Sequence, residues 1–157
     1  MGEVISLIKL AEKRKHWRRK TVVFTNGVFD LIHYGHLKLL QDCKNFGDIL
    51  IVGMNTDSSV KGFKSKGRPI TPYSDRSELI ASLSPVDYVV SFSQLTPINL
   101  ILRLKPDVLV KGSDYKVNEI VGAKEVKSWG GKVKRVKLLK GRSTSQIISK
   151  IIRLTQT

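Results

Sequence analysis

Within the segment Gly27-Val28-Phe29-Asp30-Leu31-Ile32-His33-Tyr34-Gly35-His36, two imidazoles stand three positions apart with a glycine between them. The segment follows a β-branched run, Thr21-Val22-Val23-Phe24-Thr25-Asn26, and leads into the helical pattern His36 to Phe46. A strand that ends at a glycine and turns into a helix leaves the first helical amides unpaired and the positive end of the helix dipole exposed. Side chains three apart at a helix start project to one side, so His33 and His36 aim at a common point and Gly35 leaves space for a ligand. That arrangement suits an anion, above all a phosphate. A single histidine here would as often be a surface residue or a core donor. The pair has no evident packing purpose, because neither ring is expected to be buried in a helix-start loop. No glutamate lies between the histidines and no third ligand follows at a usual spacing, so no protein-held metal is expected.

Other polar residues fall where strands or helices end. Asp114 follows the run Asp107-Val108-Leu109-Val110-Lys111-Gly112, where its carboxylate suits a turn or a ligand beyond the strand end, with Tyr115 beside it. Ser143 with Gln146 fits a capping box, and Arg142, Thr144 and Ser145 around it add donors for phosphate oxygens. Arg76 follows Ser74-Asp75 at a helix start and suits either a phosphate contact or a solvated helix surface. Asp30 reads as structural, fixing the loop before the first histidine, and Cys43 as a core residue.

Positioning these groups requires alternating elements. Short β-branched runs at Thr21, Asp48, Val86, Asp107 and Lys132 are separated by helical patterns at His36, Ser74, Thr96, Gly122 and Ser143, with Thr96 and Pro97 marking one helix start. Strands separated by helices pair in parallel through right-handed crossovers. The expected fold is therefore α/β, a Rossmann-like doubly wound parallel sheet of five strands, with ligands bound beyond the carboxyl ends of the strands. Val4, Ile5, Ile8, Leu10 and Ala11 predict an extra basic N-terminal helix within residues 1–20, ahead of a catalytic α/β core over 21–157. The longest loop, Asn55 to Ser74, is long enough to be functional.

All 157 residues fit one domain. A hydrophobic fraction of 41% argues against disorder, and no apolar run reaches the roughly 20 residues of a membrane span. The lone cysteine and the absence of a signal-peptide pattern point to a cytoplasmic protein with no membrane partner. The net charge of +15 demands an anionic partner. That charge is clustered, with seven basic residues against two acidic ones in 1–20 and ten against three in 111–142.

The segment GVFDLIHYGH, with GRSTS at residues 141–145, resembles the HxGH nucleotidyltransferases, which move a nucleotidyl group from ATP or CTP onto a phosphate-bearing acceptor. The downstream segments GRPITPYSDRSELIASLSPVDYVVSF, LKPDVLVKGSDYKVNEIVGAKEVKSWGG and GRSTSQIISKI are similar to the adenylyltransferase part of bacterial ADP-heptose synthases, over about residues 21–152. The resemblance implies transfer of AMP from ATP to D-glycero-β-D-manno-heptose 1-phosphate, giving ADP-heptose and pyrophosphate for lipopolysaccharide precursor synthesis. It implies a stand-alone form served by a separate heptose kinase, and we expect a homo-oligomer, taken as a dimer. It further implies that His33 and His36 hold the phosphates and act in catalysis. Asn26, Gly27, Val28, Phe29 and Gly35 would complete the nucleotide site with Asp114, Tyr115, Arg142, Ser143, Thr144 and Ser145. Lys64 matches a family lysine that reaches the phosphates of both substrates, although Lys61, Lys66 and Arg68 lie beside it; Arg76 is the other substrate-phosphate candidate. Magnesium is expected to be held mainly by substrate phosphates. Ser113 stands where the family usually has glycine, which would strain the loop if that position needed a positive φ.

Two enzyme alternatives share both motifs, a glycerol-3-phosphate cytidylyltransferase and an FAD synthase, and the downstream likeness disfavours them. A basic nucleic-acid-binding module would explain the charge, but it leaves the paired histidines unused and has no stacking pattern to support it.

Overall fold

The computed structural model describes residues 1–156 and contains one parallel sheet of six strands. In chain order the elements are β1 (Glu3–Val4), α1 (Leu7–Arg14), β2 (Val22–Gly27), α2 (Tyr34–Lys44), β3 (Ile49–Asn55), α3 (Asp57–Lys61) and α4 (Tyr73–Ser82). There follow β4 (Tyr88–Phe92), α5 (Ile98–Leu104), β5 (Val108–Gly112), a 3₁₀ turn (Val117–Glu119), α6 (Ala123–Ser128), β6 (Lys132–Val136) and α7 (Thr144–Thr155). The strand order is β1-β4-β3-β2-β5-β6. The chain winds outward from β2 through β3 to β4, then returns to lay β5 on the other side of β2. The switch point, where a doubly wound sheet opens a crevice, lies between the carboxyl ends of β2 and β5.

The runs Val22-Val23-Phe24-Thr25 and Leu50-Ile51-Val52 are buried without alternation because helices cover both faces of the sheet. On one face Phe24, Ile51 and Leu109 pack with Leu10 of α1, Leu100 and Ile101 of α5 and Val126 of α6. On the other, Val23, Leu50, Val52 and Val110 pack with Leu40 and Cys43 of α2 and Ile80 of α4. Cys43 is wholly buried, and burial pushes its thiol up to about 12.

The sequence reading of the N-terminus is corrected in two respects. Residues 3–4 are a sixth strand, pairing Glu3 with Tyr88 and Val4 with Val89. Helix α1 starts only after Ser6, whose hydroxyl accepts from the Lys9 amide. The apolar residues read as one helical stripe therefore serve two elements: Ile5 is buried beside the sheet, and Ile8 is 74% exposed. The long loop also contains α3, and Pro97 rather than Thr96 occupies the cap position of α5.

Candidate active site

The site grows from the turn that joins β2 to α2. Phe29 has φ 49°, a left-handed conformation that costs a non-glycine residue energy and persists only where its surroundings hold it. Its flanks are held. The Asp30 carboxylate is almost wholly buried and accepts from the amides of Ile70 and Thr71 at 2.9 Å and from Arg68 Nε. Burial alone would raise the Asp30 pKa, but the Thr71 and Ile70 amides and the Arg68 guanidinium more than offset it and hold the carboxyl below its ordinary value. On the other flank, the Val28 carbonyl accepts from Arg76. The Phe29 ring is buried and meets His36 edge-on at 5.1 Å. A Cβ on Gly27 would press on that ring at 3.0 Å, so glycine lets the ring seat without displacement.

His33 caps α2 and His36 lies in its first turn, and their rings stack at 3.8 Å with an interplanar angle of 20°. Contrary to the sequence expectation, the rings are partly buried, and Nδ1 of each is buried with no hydrogen-bond partner among the described residues. Burial lowers the His33 pKa; burial and then the neighbouring His33 lower that of His36 to about 4. Near neutral pH, then, His36 is neutral in the free protein and offers one N–H, which tolerates close stacking that two cations would oppose.

The second motif lies against the first. A Cβ on Gly35 would meet the His33 ring at 2.9 Å and the Arg142 carbonyl at 3.0 Å, so glycine is what allows the two segments to touch. The Thr144 hydroxyl faces the Leu31 carbonyl at 3.4 Å, and the Ser143 hydroxyl accepts from the Gln146 amide at 3.3 Å to cap α7. The two segments enclose a cavity of about 610 Å³ at the β2–β5 switch point. Asn26, Gly27, Val28, Phe29, His33, Gly35, His36, Lys64, Asp114, Tyr115, Arg142, Ser143, Thr144 and Ser145 all line it. Of the four basic loop residues, Lys61 and Lys66 do not reach the cavity and Arg68 is bonded to Asp30, which leaves Lys64 as the available cation.

Arg76, read from sequence as a phosphate candidate, is corrected. It is fully buried, donating to the Thr71, Val28 and Asn55 carbonyls and to the Asp57 carboxylate. Its guanidinium is consumed in joining α3 and α4 to the turn before Phe29. Ser113 brings no left-handed strain, since Phe29 and Lys105 are the non-glycine positions of positive φ among the described residues; its amide donates to the Val136 carbonyl.

Sequence reasoning missed Lys111. It is the penultimate residue of β5, its Nζ donates to the Asn26 carbonyl at 3.2 Å and lies 5.3 Å from the Tyr115 ring centre, and it lines the cavity. Burial lowers its pKa to about 8, although Asp114 and Cys43 oppose the shift. The available signal was a lysine inside an otherwise apolar strand run. Beside it, Asn26 Oδ1 is buried without a partner among the described residues. The carboxylates on the cavity are Asp30, already committed, and Asp114, and no group of three or more metal-binding side chains exists among the described residues. The donor set suits anions and gives a divalent cation no protein cage.

Residues 24–154 match the family model described as cytidylyltransferase-like. The chain is 47% identical over 148 residues to the bifunctional protein HldE of Citrifermentans bemidjiense, an alignment covering 94% of this chain and 30% of that protein. HldE of Nitratiruptor sp. is 49% identical over 144 residues, 92% of this chain and 30% of its own length. The chain thus spans about a third of the curated relatives it matches. Among solved structures, the lipopolysaccharide core biosynthesis protein from Thermoplasma volcanium superposes with a TM-score of 0.61 at 29% identity, over 78% of this chain and 99% of that one. Among the described residues, no helix is long and apolar enough to cross a membrane.

Proposed function

As a member of the cytidylyltransferase-like family the chain is a nucleotidyltransferase, and we propose that it transfers AMP from ATP to D-glycero-β-D-manno-heptose 1-phosphate. The observation that carries the reading is the meeting of the paired-histidine turn and the start of α7 around one cavity rich in nitrogen donors. A phosphate oxygen of the sugar attacks the α-phosphorus of ATP, the bond from that phosphorus to the bridging oxygen breaks, and pyrophosphate leaves in line. The attacking oxygen is already ionised, so no side chain need remove a proton. What remains for the protein is to place two polyanions and stabilise the charge that builds on the transferring and leaving groups.

His33 and His36 serve the phosphates from the cavity wall with their imidazoles, while Arg142 and the amides at the capped start of α7 serve the leaving pyrophosphate. A bound triphosphate favours the imidazolium form and so recovers part of what burial costs these rings. Lys64 reaches over the acceptor phosphate, and Asp114 and Tyr115 serve ribose and base. Magnesium held by the substrate phosphates would supply further charge neutralisation there.

The acceptor is supported by the identity to the HldE proteins and by the lipopolysaccharide role stated for the Thermoplasma volcanium protein. On this reading a separate kinase activity supplies the sugar 1-phosphate. A pyrophosphate-release panel crossing ATP and CTP with heptose 1-phosphate, glycerol 3-phosphate and FMN tests it. Turnover is expected with ATP and heptose 1-phosphate; turnover with CTP alone, or with FMN as the preferred acceptor, overturns the assignment. His36→Ala should keep its fold by circular dichroism and lose about 10²- to 10³-fold in rate.

A further inference from the structure

Much of the excess positive charge lies away from the catalytic cavity. At the opposite, amino-terminal ends of β2, β5 and β6, a second cavity of about 670 Å³ is lined by Arg18, Arg19 and Lys20 and by Lys132 and Lys134. The first three lie between α1 and β2. The other two stand at alternate positions of the edge strand β6, facing the same side of the sheet. All five are exposed, and among the described residues none has an ion-pair or hydrogen-bond partner for its side chain. The carboxylate on this cavity, Asp107, accepts from the Val22 amide at 2.8 Å and pairs with Arg14 at 3.3 Å, so it is already occupied.

We propose that this rear cleft is a second anion site, separate from the catalytic cavity, for a compact ligand carrying two or more adjacent phosphates. Five like charges around one cavity repel one another, and a ligand of three or four negative charges relieves that repulsion where a single-charge anion leaves most of it. The volume falls within the range of small-ligand sites, and two arginines offer the paired donors that phosphate oxygens accept. The cleft is concave, unlike the surface a flat bilayer would meet. Phe46 is the aromatic residue on it and is half-buried, so it lacks the successive rings on which a nucleic-acid strand stacks. The catalytic cavity lies a strand's length away, roughly 15 Å, so both sites can be filled together.

Inorganic tripolyphosphate titrated into the 15N-labelled chain tests the site without reference to activity. Amide shifts are expected in two groups: one over Gly27 to Gly35 and Arg142 to Ser145, the other over Arg18 to Thr21, Asn45, Phe46 and Gly130 to Lys134. Shifts confined to the first group overturn the proposal. Lys132→Ser/Lys134→Ser should weaken the second group's binding at least tenfold and leave the first unchanged, whereas Lys9→Ser/Lys150→Ser, which removes the same charge elsewhere, should alter neither. An equal loss in both double variants reduces the effect to overall charge and overturns the site. ATP and pyrophosphate arms identify the natural source. Tighter binding of a single-stranded oligonucleotide or of anionic vesicles, lost in the same rear variant, overturns the compact-ligand assignment.

Discussion

His36 makes the free protein sensitive to acid in a way that can be calculated. Its folded pKa of about 4 lies below the ordinary imidazole value of 6.5, so the folded state favours the neutral ring. The stabilisation is fully present above pH 6.5 and is lost as pH falls toward 4, because the unfolded chain takes up the proton first. With those two values the contribution changes by about 2 kcal/mol between pH 7 and pH 4.5. For a chain of this length that corresponds to roughly 4–8 °C in Tm. Carboxylates titrate in the same window, so the informative quantity is a difference. The Tm drop from pH 7 to pH 4.5 should be larger in the wild type than in His36→Gln by that amount. NMR titration of the His36 ring should show a midpoint near 4 in the free protein and a higher one with ATP bound. A midpoint at 6.5 in the free protein, with equal Tm drops in both chains, refutes the argument that burial holds this ring neutral.

Gly35→Ala inserts a Cβ between the His33 ring and the Arg142 carbonyl, and should reduce pyrophosphate release at least tenfold while moving Tm by only a few degrees. Lys111→Met removes a buried ammonium that ends at the catalytic cavity; calorimetry should find ATP affinity lowered at least tenfold, with Tm at pH 7 no lower than wild type. Arg76→Met leaves the Thr71, Val28 and Asn55 carbonyls and the Asp57 carboxylate without their donor, and urea unfolding should report a loss of about 2–3 kcal/mol.

The histidine turn was legible in the sequence because its chemistry is local: strand, glycine, two imidazoles and a helix start are contiguous. The start of α7 was legible for the same reason, through Ser143 and Gln146. Arg76 was ambiguous because its role depends on which face of α4 turns inward, and the buried face is chosen by α3 and the β2 turn rather than by its neighbours in sequence. Lys111 was missed because its meaning comes from the adjacent strand, where Asn26 presents a carbonyl. The two-residue strand β1 has no pattern of its own and exists because β4 offers it an edge. The two basic blocks were visible as charge clusters, but only the parallel sheet brings Arg18–Lys20 and Lys132 to one cleft.

The segment that follows Lys64 is tied to the histidine turn by the Asp30 carboxylate, which grips Arg68, Ile70 and Thr71, and by Arg76, which joins the Thr71 and Val28 carbonyls. None of those contacts involves the side chains of residues 62–67, so substitutions in that stretch leave the anchorage of the histidine turn as it is. With Lys64 on the acceptor phosphate as proposed, a change of acceptor can be sought in that stretch alone, a replaceable part beside a fixed post.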